Sequence, residues 1–385
     1  IRRPPRSTPS NSSAASDVYK RQMLDKIRKI TDVLKLNCSF WFPVFYEYCT
    51  ITPSFAAINI TDRCCFRCIM CSQWKETNEG ELDTDEWKKV LNQLKKVGVK
   101  DVVFSGGEPL LRKDIALLAE HNKKIGLASA VITNGYLLNE ERLKKLIESG
   151  VKNVSVSLDG QGEEFDRIRG IPGAYEKVIN ACRLISKYKK SGKIKGYLYF
   201  TLMKSTVRKY TVVMNISREL NLPLVVNLFD YTPYFFKTLR EEKDKFWLNT
   251  PEDFKWLKEF QKMLIQDKKI TYHTYTEIDY FRRYFKDSLQ KNIPCVVSQK
   301  RIGIDSRGNV YGGCWSMGSF GNVKEISLKD IVMSKKYKKA HRNMFFKNCP
   351  GCSCGYSVNL RYYLPDIVKK GLFDIFPWSR NTIYE

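Results

Sequence analysis

The sequence predicts an α/β fold: a parallel sheet curled with its helices outside, followed by a small Cys- and Gly-rich α+β domain. Three observations carry this. Short β-prone apolar runs alternate with helix-period segments from residue 55 to residue 228, in six strand–helix steps or nearly so. The residues suited to chemistry fall just after those runs, where ligands bind in folds of this class. From Cys295 onward the composition shifts to cysteine and glycine.

The elements follow in order. Residues 54–60 form the first strand, and Asp85 to Val97 repeats apolar residues at Trp87, Val90, Leu91, Leu94 and Val97, a helix period. Asp101 to Phe104 is a strand, Asp114 to Lys124 a helix and Ala128 to Thr133 a strand. Asn139 caps the next helix, which runs through Glu148 with acidic residues in its first turn. Val154 to Leu158 is a strand, Ala174 to Lys189 a helix, and Gly196 to Leu202 a strand. A helix near Val207 to Leu220 and a strand over Leu222 to Leu228 complete the series. Thr250-Pro251-Glu252 opens a further helix, with Thr as the cap and Pro in its first turn. The units so read are 1–22, 23–54, 55–236, 237–290, 291–360 and 361–385.

Residues 1–22 are polar, rich in Pro and Ser, and resemble a translated sequencing adapter; Met23 is the expected start. Without that segment the formal charge falls from +25 to +21, still a large surplus suited to anionic partners. No nucleic-acid module accompanies it. No stretch reaches the length of a membrane span. Leu24 to Leu36 is basic and amphipathic, and Phe40 to Tyr46 is aromatic. Tyr362 to Trp378 again mixes aromatics with Lys369 and Lys370. Both segments suit packing on the protein's own barrel or lying at a bilayer interface. The 12 cysteines sit in clusters rather than as a scattered disulfide framework, with no secretory signal before them, so a reducing cytoplasm is the expected setting.

Cys64, Cys68 and Cys71 stand as C-x3-C-x2-C directly after the first strand. An iron–sulfur cube takes four thiolates, so a loop supplying three leaves one iron open to another ligand. Zinc loops favour paired C-x2-C knuckles, and a zinc-stabilised binding protein is the competing class. One strand later comes Ser105-Gly106-Gly107-Glu108-Pro109, whose glycines admit close backbone approach.

These motifs, in this order, resemble those of the radical S-adenosylmethionine (radical SAM) enzymes. The resemblance implies a partial (β/α)6 barrel and a [4Fe–4S] cluster on Cys64, Cys68 and Cys71 whose open iron chelates SAM. Reductive cleavage of SAM to a 5′-deoxyadenosyl radical would then begin the reaction, with an electron from a flavodoxin or ferredoxin. Gly106, Gly107 and Glu108 carry over as the site of the methionine amino group. Ser157 and Asp159 resemble the ribose and carboxylate contacts, and Arg169 a carboxylate partner. Met70 departs from the pattern, since many members have an aromatic there beside the adenine.

Cys295, Cys314, Cys349, Cys352 and Cys354 form the second group. Between the first two, residues 303–313 read as two strands joined by an Arg-Gly-Asn turn. This resembles the SPASM/twitch extension, which implies one auxiliary [4Fe–4S] cluster on Cys295, Cys314, Cys349 and Cys352, with Cys354 spare or replacing a neighbour. Asp230 and Tyr231 follow the sixth strand and are the candidate catalytic residues, for the role of a general base. The resemblance leaves the substrate open among a peptide, a sugar-like alcohol, and a lipid or polysaccharide.

Overall fold

The computed structural model describes residues 12–76, 79–230, 242–286, 294–346 and 362–365. Eight strands form one sheet: β1 (Phe55–Thr61), β2 (Asp101–Gly106), β3 (Ala128–Thr133), β4 (Val151–Ser157), β5 (Lys195–Leu202), β6 (Leu224–Leu228), β7 (Arg301–Ile304) and β8 (Val310–Tyr311). Their order is β6-β5-β4-β3-β2-β1-β7-β8, so the sheet has two edges and does not close. β1 to β6 run parallel to their neighbours, and β7 joins β1 in parallel with Phe55 opposite Arg301. β8 turns back antiparallel on β7. The expected hairpin therefore exists, and it extends the barrel sheet.

The helices form where capping and periodicity predict. Thr84–Lys96 starts on a capping box between Asp83 and Glu86 and buries Trp87, Val90, Leu91 and Leu94. Asn139 accepts from the Arg142 amide at 2.9 Å and opens Glu140–Glu148. Ala174–Lys190 turns Val178, Ala181, Cys182 and Ile185 inward, which makes Cys182 a packing residue. Thr250 and Asp253 cap Pro251–Gln266 reciprocally. One helix was not legible in advance: Gly162–Arg169 fits between two glycines and ends at Gly170, φ +72°.

The β6 edge is protected. Tyr272 donates its amide to the Leu224 carbonyl at 2.8 Å, and His273 Nε2 accepts the Val226 amide at 2.8 Å. Glu277 holds that imidazole from its other side at 3.3 Å. An edge covered in this way offers no free ladder for another chain. Among the described residues no helix is long and apolar enough to cross a membrane.

Candidate active site

The loop after β1 carries the three cysteines, and backbone contacts from two other loops fix its course. Gly107 donates its amide to the Thr61 carbonyl and Glu108 to the Arg63 carbonyl, each at 2.8 Å. A Cβ on Gly106 (φ +125°) would stand 2.3 Å from Thr61 O, and one on Gly107 would stand 2.2 Å from Arg63 O. Only glycine allows so close an approach, so here the pair acts as a strap on the cysteine loop. On the far side, Arg67 and Ile69 donate their amides to the carbonyls of Arg169 and Ile168 at 3.0 Å. Gly107→Ala is expected to displace the loop, costing about 2 kcal/mol or more. Thermal unfolding with iron content per chain measures both effects, and a variant with normal iron would contradict the strap.

Glu108 is fully buried, and its carboxylate faces the chain itself. It accepts from Thr133 Oγ1 at 2.7 Å, the Asn134 amide at 2.7 Å and the Leu110 amide at 3.0 Å. Burial pushes its carboxyl up to about 7 against the pull of those donors. These bonds tie the end of β2 to the end of β3. Glu108 so placed positions the glycines beside it.

The sulfurs are surrounded by donors. The Phe66 amide points at Cys64 Sγ from 3.4 Å, and Asn134 Nδ2 lies 3.2 Å from Cys65 Sγ and 3.9 Å from Cys64 Sγ. Arg169 reaches Cys68 Sγ at 3.7 Å and makes a buried ion pair with Asp159. Asp159 also accepts the Thr201 amide at 2.6 Å from β5. Burial raises the Cys68 thiol and pushes Cys71 up to about 11.

Donors aimed at buried sulfur suit thiolate ligands, whose charge those donors would offset. The three thiols are not gathered on one point: among the described residues no three Cys, His, Asp or Glu side chains stand as a single ion would require. A cube with iron at its corners takes ligands set wider apart. Arg169 Nε is a buried donor without a hydrogen-bond partner among the described residues. The residues therefore fit a thiolate-bound cluster with a carboxylate ligand beside it.

A cavity of about 520 Å³ opens beside this loop, lined by Arg67, Cys68, Cys71, Trp74, Ser205 and Phe246 among others. Trp74 Nε1 and Ser205 Oγ are buried there without a partner among the described residues. Arg67 stacks over the Trp74 ring at 5.0 Å.

Ser157 stands half-buried at the end of β4, one residue before Leu158 and two before Asp159. Asp230 follows β6, half-buried, while Tyr231 lies outside the described residues. Cys295 and Cys314 are both buried and share a small cluster with Val297 and Met344. Cys349, Cys352 and Cys354 lie outside the described residues.

One connection had no signal in the sequence. Asp62, beside the cysteine loop, accepts from Ser306 Oγ and pairs with Arg307, each at 2.7 Å. Those partners sit in the β7–β8 turn, 244 and 245 residues away. Leu82 N donates to Ser306 O at 2.7 Å, and Arg307 Nε to Glu79 O at 3.1 Å. The hairpin is thus locked onto the cysteine loop.

Residues 58–203 match the model of the radical SAM superfamily, and residues 295–355 match that of the SPASM iron–sulfur cluster-binding domain. The chain is 37% identical over 169 residues to Fe-coproporphyrin III synthase of Methanosarcina barkeri, covering 43% of this chain and 41% of that protein. It is 40% identical over 134 residues to PqqA peptide cyclase of Rhodopseudomonas palustris, covering 34% and 36%. The matched part is thus about two fifths of each of these relatives or less. Among solved structures, SuiB of Streptococcus suis bound to S-adenosylmethionine superposes with TM-score 0.59 at 14% identity, over 78% of this chain and 70% of that one. The structure of anSMEcpe with bound AdoMet and the Cp18Cys peptide gives TM-score 0.56 at 20% identity, over 85% and 97%. Both likenesses are of fold. A [4Fe–4S] cluster with SAM, and an auxiliary iron–sulfur cluster, are the cofactors that go with these two domains. The chain belongs to the radical SAM superfamily and carries a C-terminal SPASM domain.

Proposed function

We propose that the protein reductively cleaves S-adenosylmethionine and uses the resulting radical to abstract hydrogen from a peptide. The observation that carries the first part is the donor-lined loop of Cys64, Cys68 and Cys71, held between the glycine strap and the Arg169–Asp159 pair. The bound cluster would supply the electron that breaks the sulfonium bond. The chain's own residues do the rest. Cys64, Cys68 and Cys71 would hold three irons, Arg169 Nε would meet a carboxylate, and Gly106 and Gly107 keep the cysteine loop close to the end of β2.

The peptide is supported by the similarity to PqqA peptide cyclase. The cavity beside the cysteines offers an indole N–H, a hydroxyl and a guanidinium to a polar chain. A tetrapyrrole is the second reading, favoured by the similarity to Fe-coproporphyrin III synthase. Cys295 and Cys314, with two of Cys349, Cys352 and Cys354, would hold the auxiliary cluster and take up an electron from the substrate radical. Asp230 is the base proposed to remove the accompanying proton. A cytoplasmic flavodoxin or ferredoxin is the proposed donor.

The test is anaerobic incubation of the reconstituted protein with SAM and dithionite. 5′-Deoxyadenosine is the expected product, and its absence under strong reductant would refute the proposal. Deuterium passing into 5′-deoxyadenosine from a labelled peptide, and not from a labelled tetrapyrrole, decides between the two substrates.

A further inference from the structure

From Met23 to Trp41 the helix Ser12–Trp41 carries apolar residues on two sides, and one of them packs on the described residues of the fold. Leu36 and Phe40 pack inward against a cluster of Tyr46, Ile51, Val296 and Phe345, and Asp32 pairs with Lys300 at 2.5 Å. Met23, Ile27, Ile30, Leu34 and Trp41 recur at helical spacing on another side and stand 42–57% exposed. The stripe runs on into the turn that follows, where Phe42, Val44, Phe45 and Tyr48 are 47–83% exposed. So large a run of exposed aromatic and aliphatic surface marks an interaction site.

Its neighbours are basic. Tyr46 packs on Phe345 at 5.3 Å, which sets the aromatic turn beside the helix Lys335–Phe345. That helix exposes Lys335, Lys336, Lys338 and Lys339, and Arg342 lies 5.8 Å from the Tyr46 ring. The acid of the turn, Glu47, is paired with Arg342 at 3.7 Å. Asn37 bonds to Tyr362 O at 2.7 Å and accepts the Leu364 amide at 2.9 Å. Residues 362–365 are therefore joined to this same helix.

We propose that this face seats the protein on an anionic lipid surface, with Trp41, Phe42 and Phe45 entering the headgroup boundary and the lysines meeting the headgroups. Aromatic and basic residues together are what such an interface selects. A second copy of the chain would bring the lysines of two molecules together, and the like charges oppose that pairing.

The full chain is to be sedimented with vesicles of phosphatidylcholine alone and with about 30 mol% phosphatidylglycerol added. Binding to the anionic vesicles only is expected, weakening as salt is raised. Trp41→Ser with Phe45→Ser and Tyr48→Ser should lower the affinity about tenfold or more, since each aromatic contributes buried apolar area. Lys338→Glu with Lys339→Glu should abolish the preference for anionic lipid. All five positions are exposed, so an unchanged thermal melt shows that the variants fold. No binding at low salt, or equal binding by the aromatic variant, would overturn the proposal. So would a dimer that the aromatic variant makes monomeric, because the stripe would then be a contact between copies.

Discussion

Replacing Cys64, Cys68 and Cys71 together with alanine is expected to lower the reconstituted iron content from about eight to about four per chain and to abolish 5′-deoxyadenosine formation. Each cluster accounts for four irons, and the two cysteine groups are far apart in sequence. The backbone bonds that join Gly107, Glu108 and Arg169 to the loop stay in place in the triple variant, while the Arg169 contact to Cys68 Sγ is lost. Loss of the cluster should therefore not unfold the sheet, and the remaining iron reports the SPASM domain alone. About four irons falling to none would keep the first site and leave the C-terminal cysteines to zinc or to no metal. Iron unaffected by the triple change would remove the basis for placing the cluster on this loop.

The fold was largely legible because its signals are local. The apolar run Ala128–Thr133 is strand β3 itself, and Asn139 and Thr250 announce their helices by chemistry that acts within one turn. What stayed hidden was non-local. Gly162–Arg169 is short and bounded by glycines, which read as loop punctuation, yet it delivers Arg169 to the cysteines. Asp62 looks like an ordinary strand-end acid until the chain brings Ser306 and Arg307 back to it. No periodicity records a contact across that distance.

Glu108 teaches a similar lesson about motifs. Sequence resemblance assigns it with the glycines to the methionine amino group, and its carboxylate is spent on Thr133, Asn134 and Leu110. The glycines face a close approach that Cβ atoms forbid, while the glutamate secures the strands that make the approach possible. A motif can thus be legible as a unit while the division of labour within it is set by tertiary contacts. The same holds for the hairpin: its turn was readable, whereas its pairing with β1 was not.

Asp159→Asn is expected to destabilise the protein by about 3–5 kcal/mol, the cost of leaving a buried cation without its counter-charge. The Asp159 side chain is fully buried and that of Arg169 is 9% exposed, so water cannot replace the lost charge. Burial pushes the Asp159 carboxyl above its usual range, and the guanidinium beside it opposes that shift. The pair also spans elements: Asp159 follows β4 and accepts from β5, while Arg169 ends its helix and reaches Cys68. Weakening it should loosen the cysteine loop as well as the sheet. Urea unfolding measures the first effect and equilibrium binding of SAM to the reconstituted protein the second. A second variant separates stability from function. Asp159→Leu with Arg169→Met removes both charges and should recover most of the stability, because an apolar pair avoids desolvating ions. It should not recover SAM binding, since the donor at Arg169 Nε is gone. If the double variant bound SAM as tightly as the natural sequence, Arg169 would be a structural cation only, and the carboxylate of SAM would have to be met elsewhere.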